Sequence, residues 1–222
     1  MKKLLLLLAF ITAPAFASPD DLQIWIPVNI NAKLSDNWRG FLEVQPRIGS
    51  DASSLNTGVV RPAIGYALTG EWTVWAGYLL QAQRNTTTND YELENRSWQG
   101  LTYKTKIDDN IFEVRNRLEQ RYLSHNHDIS HRWRTRFRAE HLLGQSPWSL
   151  IGSEEIFVNL NNNEVNSTLS EGENQNRAYA GVGYRFNPNV QIETGYLNQT
   201  NFNHTKLDTT NHVWMSNINI NF

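Results

Sequence analysis

The sequence predicts an all-β protein, a transmembrane antiparallel up-and-down β-barrel with short periplasmic turns and long outer loops. The first observation behind this is strict alternation. From Glu113 to Arg121 every second residue is charged (Glu113, Arg115, Arg117, Glu119, Arg121), and the pattern resumes at Arg132, Arg134, Arg136, Arg138 and Glu140. The intervening residues are mainly apolar, among them Phe112, Val114, Leu118, Trp133 and Phe137. A helix would scatter a period-two set over opposite faces, whereas a strand puts it on one. The second observation is the rhythm of the connections, which runs short, long, short, long, as membrane barrels require and Greek-key sandwiches do not. The third is an aromatic ring. Trp38, Trp72, Phe112, Trp148 and Phe186 each stand beside a short turn with apolar-face parity, as an interfacial girdle does.

In order, residues 22–34 set Leu22, Ile24, Ile26, Val28, Ile30 and Leu34 against Gln23, Asn29, Asn31 and Lys33. Ser35-Asp36-Asn37 turns the chain. Residues 38–48 oppose Leu42 and Val44 to Arg39, Glu43, Gln45 and Arg47, and 58–68 oppose Val60 and Ile64 to Arg61. After the turn at 69–71, residues 72–82 carry Val74, Ala76, Tyr78 and Leu80 on one side. Residues 84–95 read as a long polar loop, and 96–107 oppose Leu101 and Tyr103 to Arg96, Lys104 and Lys106. The arginine hairpin follows, then 148–160, where Glu154 breaks the apolar side and suggests a bulge. Residues 161–175 read as the longest loop. Residues 176–186 oppose Ala178, Val182 and Tyr184 to Arg177, Tyr179 and Arg185; 190–200 and 212–222 complete the set. Strands near a dozen residues suit a tilted crossing, for which about 9–11 are needed. Eleven segments are legible, and because single-chain bacterial barrels normally carry an even number, the count is set at 10–12 with 12 favoured. The remaining possibility is a first segment that threads the lumen.

Two charges and an apolar run open the chain: Met1-Lys2-Lys3, then 4–11, then Ala15-Phe16-Ala17. This reads as a signal peptide over 1–17, leaving 18–222 as the barrel, exported to the bacterial outer membrane. With no cysteine there is neither a disulfide framework nor a thiolate metal site. The net charge of −2 gives no reason to expect nucleic acid. A mean hydropathy of −0.52 is compatible with a barrel, since only alternate residues meet lipid.

The chain ends in Ile218, Ile220 and Phe222 at alternate positions, a pattern similar to the signal read by the barrel assembly machinery. The run from Asn176 to Phe186, the stretch Val190 to Gln199, Arg115 to Arg121 and Glu154-Glu155-Ile156-Phe157 resemble an uncharacterised family of small outer-membrane β-barrel proteins, Domain of Unknown Function 2490. That resemblance implies the fold and the outer membrane, and no catalytic residue. In plan it is similar to the small porins that pass acidic sugars.

Parity places Arg96, Lys104, Lys106, Arg115, Arg117, Arg121, Arg132, Arg134, Arg136, Arg138 and Arg177 in the lumen, with Glu43, Glu113, Glu119, Glu140, Glu155 and Glu193 as fewer partners. Unpaired buried charge is costly, so the surplus points to water and small anionic solutes: a passive, anion-preferring channel in contact with outer-membrane lipid. A closed structural or stress-related barrel is the alternative, since small barrels fill themselves with side chains. An enzyme acting on lipid or peptide has only Asp90, Glu92, Glu94, His125, His127 and Asp128 to recommend it, which read as solvated loop charge. No catalytic constellation, cofactor or metal site is predicted.

Overall fold

The computed structural model describes residues 20–85, 88–123, 129–161, 171–203 and 207–222. Its strands are β1 (Asp20–Trp25), β2 (Val28–Lys33), β3 (Trp38–Gly49), β4 (Ser54–Ala67), β5 (Trp72–Arg84), β6 (Tyr91–Ile107), β7 (Asn110–Leu123), β8 (Ser130–Leu142), β9 (Trp148–Asn159), β10 (Gly172–Asn187), β11 (Val190–Asn201) and β12 (Thr209–Asn221). From β3 to β12 each strand pairs antiparallel with the next in sequence. The sheet then closes on itself, so the described strands leave no edge to pair with another chain.

The closure explains the count. Both β1 and β2 lie between β3 and β12, antiparallel to the first and parallel to the second. Trp25 pairs with Arg47 and Val28 with Val44; on the other side Trp25 pairs with Met215 and Val28 with Ile218. No residue is slipped between them, so the two strands are halves of one stave. The break falls at Pro27, which has no N–H for the ladder. Ile26 N–H still reaches Pro46 O at 3.1 Å, and Ile218 N–H reaches Pro27 O at 2.8 Å. The twelve strands therefore make eleven staves, and an odd number requires the first and last to run parallel. The 22–34 segment sits in the wall and does not thread the lumen.

Several strands outrun their expected limits, because backbone pairing continues past the apolar stretch. β6 begins at Tyr91, with Glu92 opposite Gln83 and Glu94 opposite Gln81. Half of the 84–95 stretch is thus strand, and Glu94 is not a loop residue. Nor is there a bulge at Glu154: its pairings with Ala178 and Phe137 run in unbroken register. Its carboxylate points outward and accepts a hydrogen bond from Asn176 Nδ2 at 2.5 Å. The register shifts lie elsewhere, at Arg47/Ile48, Glu173/Gln175 and Arg185/Asn187.

The two faces separate as alternation requires. Val44, Val60, Ile64, Leu80, Phe137 and Leu150 are exposed on the outside, while Arg61, Arg96, Arg117, Arg132 and Arg134 are buried inside. The outward residues of β6–β12 also include polar pairs that satisfy one another, among them Thr135 Oγ1 to Asn116 at 2.8 Å and Thr194 with Ser216 at 3.0 Å. Such pairing reduces the cost of polar groups against hydrocarbon. The lipid-facing assignment has a direct test at Val44, which is 43% exposed at mid-strand. Val44→Arg would be nearly neutral against water and costs about 2–4 kcal/mol against the bilayer midplane; denaturant unfolding from liposomes should show the larger loss.

Candidate functional site

The lumen divides into two halves. Toward the long loops it is packed. Inward positions of β6, β7 and β8 place arginines directly opposite arginines, with Arg96 facing Arg121, Arg117 facing Arg134 and Arg115 facing Arg136. Like charges in direct opposition repel, and shared carboxylates offset this. Glu94 accepts from Arg96 Nε at 2.7 Å and from Arg121 Nε at 2.5 Å. Glu155 accepts from Arg115 and Arg134, each at 3.0 Å. Glu119, only 1% exposed, accepts from Arg132 Nη2 and Arg134 Nη1 at 2.6 Å, with Arg96 at 3.7 Å and Arg117 at 3.8 Å. Phe157 is fully buried beside this cluster, and Trp25, Ile151, Tyr179, Leu197 and Val213 form an apolar cluster of their own. The guanidiniums of Arg132, Arg134 and Arg177 lie 5.1, 4.4 and 4.7 Å from the Phe157 ring centre.

Toward the short turns the lumen opens into a cavity of about 620 Å³. Among the described residues, nine arginines and two lysines line it, against six glutamates. Some of these are paired: Arg61 donates to Glu43 at 2.7 Å, Arg138 to Glu193 at 2.8 Å, and Arg136 to Glu113. Arg117 is different. It is 3% exposed, and its Nε and Nη1 donate no hydrogen bond. Its guanidinium instead stacks 4.0 Å from the Trp98 ring centre. Trp98 occupies that place because Gly77 stands opposite; a Cβ on Gly77 would come within 2.5 Å of the indole. Trp25 forms a second shelf, with Arg47 at 4.0 Å and Arg177 at 5.0 Å from its centre. Across the cavity, β2 and β12 contribute amide pairs, Asn29 with Asn219 at 3.1 Å and Asn31 with Asn221 at 3.2 Å.

Of the expected lumen residues, Lys104, Arg115, Arg117, Arg134, Arg136, Arg138 and Arg177 line the cavity. Arg96, Arg121 and Arg132 belong to the packed half, and Lys106 is exposed at the short-turn end. Of the cavity-lining arginines, Arg115, Arg134 and Arg136 are held in ion pairs with Glu155, Glu119 and Glu113. Trp25, Trp98 and the asparagine pairs are additions, although the parity that turns Arg96 inward also turns Trp98 inward. Trp38, Trp72, Phe112, Trp148 and Phe186 are exposed beside the short turns. Trp38 packs edge-on against Tyr66 at 5.1 Å, and Trp148 against Tyr184 at 4.7 Å. Ile218 and Ile220 lie in β12 beside Val28 and Ile30, and Phe222 closes the seam: its N–H donates to Asn31 O and its O accepts from Lys33 N–H. His125, His127 and Asp128 lie outside the described residues. Among the described residues no group of His, Asp and Glu is arranged to hold a metal ion.

Residues 22–211 match the family described as "Protein of unknown function (DUF2490)". The chain belongs to this family. An uncharacterized protein of Methylorubrum extorquens is 32% identical over 193 residues, covering 85% of this chain and 82% of its own length. Among solved structures, the NanC porin superposes with a TM-score of 0.52 at 12% identity, covering 80% of this chain and 86% of that one. Outer-membrane expressed OmpT of Vibrio cholerae gives 0.44 at 14% identity, and the match covers 74% of this chain and 55% of that one. What is shared with the NanC porin is the fold. Within this DUF2490 barrel, Glu119 is the residue whose loss strands the most charge. Glu119→Gln should destabilise the barrel by about 3–5 kcal/mol, visible as a lower denaturant midpoint, whereas Asp36→Asn should change little because the Lys33–Asp36 pair is solvent-exposed.

Proposed function

We propose that this DUF2490 barrel resides in the bacterial outer membrane and is a small, anion-preferring passage. The observation that carries this reading is the cavity wall, where basic side chains outnumber acidic ones. Several charges of one sign on a low-dielectric wall sum to a potential of several kT that concentrates anions and weakens with salt. The fold shared with a protein titled as a porin supports the passage reading. The packed loop-side half means that the resting barrel is shut, with the Glu119 cluster as the barrier between cavity and loops. That same packing favours a second reading, a closed structural barrel. The remaining parts of the proposal rest on sequence: residues 1–17 act as a removable export signal, and Ile218, Ile220 and Phe222 mark the last strand for the barrel assembly machinery.

Planar-bilayer recording of the purified protein separates the two readings. Infrequent openings with a reversal potential toward that of chloride are expected under a salt gradient. Arg115→Gln with Arg117→Gln should shift the reversal potential toward zero without loss of folding. Glu155 keeps Arg134 as a partner in that variant, and Arg117 makes no hydrogen bond through Nε or Nη1 to lose. Cation preference would overturn the anion reading, and an absence of any conductance would leave the structural barrel.

A further inference from the structure

We infer that the inner end of the cavity is a binding site for a hydroxylated, sugar-sized organic anion that enters from the short-turn side. This rests on the anion reading above and adds a stoichiometric site to it. Arg117 has two guanidinium nitrogens, Nε and Nη1, without a hydrogen-bond acceptor although it is almost wholly buried; Glu119 stands 3.8 Å from Nη1, and the Trp98 shelf holds the guanidinium at the cavity wall. An orphaned buried donor is expensive, and a carboxylate or phosphate oxygen placed against it removes that cost with a charge-assisted bond. Arg47 stands near the same end with its own Nε lacking an acceptor, anchored by Gln45 at 2.8 Å and by the Trp25 ring. The anionic head therefore has a place.

The opposite wall describes the rest of the ligand. Asn29 and Asn219 project their amides into the cavity along β2 and β12. Asn29 Nδ2 donates to Asn219 Oδ1 at 3.1 Å and Asn219 Nδ2 to Glu193 at 2.9 Å; amides both donate and accept, so each keeps capacity beyond these bonds that matches hydroxyl groups. The volume of about 620 Å³ lies within the range of small-molecule sites, about 300–1,000 Å³. Direction follows from the lining. The cavity reaches exposed residues of the short-turn end, including Lys33, Glu71 and Lys104, and stops at the Glu119 cluster. No described residue of the long-loop end lines it. The cationic surplus of the cavity wall draws an anion inward.

The test uses the full-length refolded barrel at fixed ionic strength, with tryptophan fluorescence as readout because Trp98 and Trp25 touch the arginines concerned. Glucuronate and glucose 6-phosphate should each give a saturable change, about tenfold or more tighter than glucose or inorganic phosphate. The better of the two identifies the head group as carboxylate or phosphate. Arg117→Gln should weaken binding about tenfold or more, with Arg117→Lys partly restoring it. If Arg117→Gln does not fold, Asn29→Ala supplies the second arm: it should weaken the sugar anions and leave inorganic phosphate unchanged. Equal response to glucose and glucuronate, no saturable response, or unchanged affinity in these variants would overturn the site. Binding without conductance would remove the passage and keep the site; anion-selective conductance without saturable binding would do the reverse.

Discussion

Carboxylates shared between opposed guanidiniums are the contacts on which the interior depends. Register alone brings Arg96 against Arg121, Arg115 against Arg136 and Arg117 against Arg134. Without Glu94, Glu119 and Glu155 these strands would bring like charges into a space that excludes water, where each uncompensated charge costs several kcal/mol. The glutamates sit on neighbouring inward positions, one or two pairs along, so each reaches guanidiniums of two strands. The result couples β6, β7, β8 and β9 through side chains as well as through backbone. Phe157 packs against the arginines of this network, and a separate apolar cluster of Trp25, Ile151, Tyr179, Leu197 and Val213 shares the interior.

The seam answers a different constraint. Closing a sheet removes its edges, and with an odd number of staves the closing pair must be parallel. Pro27 could have weakened that seam, because it cannot donate. The register nevertheless passes through it unshifted, and the carbonyl of Pro27 still accepts from Ile218. Phe222 fastens the far end with bonds to Asn31 and Lys33. The asparagine pairs that face the cavity lie on these same two strands, so the seam also forms one wall of the site.

Much of this was legible in the sequence. Alternation identified the inward and outward faces, and the aromatics beside short turns marked one rim, because both depend only on a two-residue period and on neighbours along the chain. Strand ends at the loop side were less legible: Glu92 and Glu94 look like loop residues by composition, and only their backbone pairing makes them strand. Glu154 looked like a bulge because a charge broke the apolar side; the structure keeps the register and satisfies the carboxylate with Asn176. The pairing of Arg134 and Arg136 was also illegible, since it depends on the register β8 takes against β7 and β9. An odd, parallel closure leaves no local mark in the sequence beyond an uneven count.

Stability and selectivity then fall on different arginines. Two unit charges 4 Å apart interact by about 1 kcal/mol in bulk water and about 4 kcal/mol where the effective dielectric constant is 20. In the packed half the larger figure governs, so Arg121 and Arg132 are structural and each holds a carboxylate. Around the cavity the smaller figure governs wherever water enters, and a surplus of positive charge is tolerated there. Arg117 lies at the boundary: it is buried like the first group and lacks hydrogen bonds to its Nε and Nη1. A guanidinium in that position contributes least to the fold and is the most responsive to an anion arriving from the cavity. The aromatic shelf beneath it keeps it in place when the cavity holds only water.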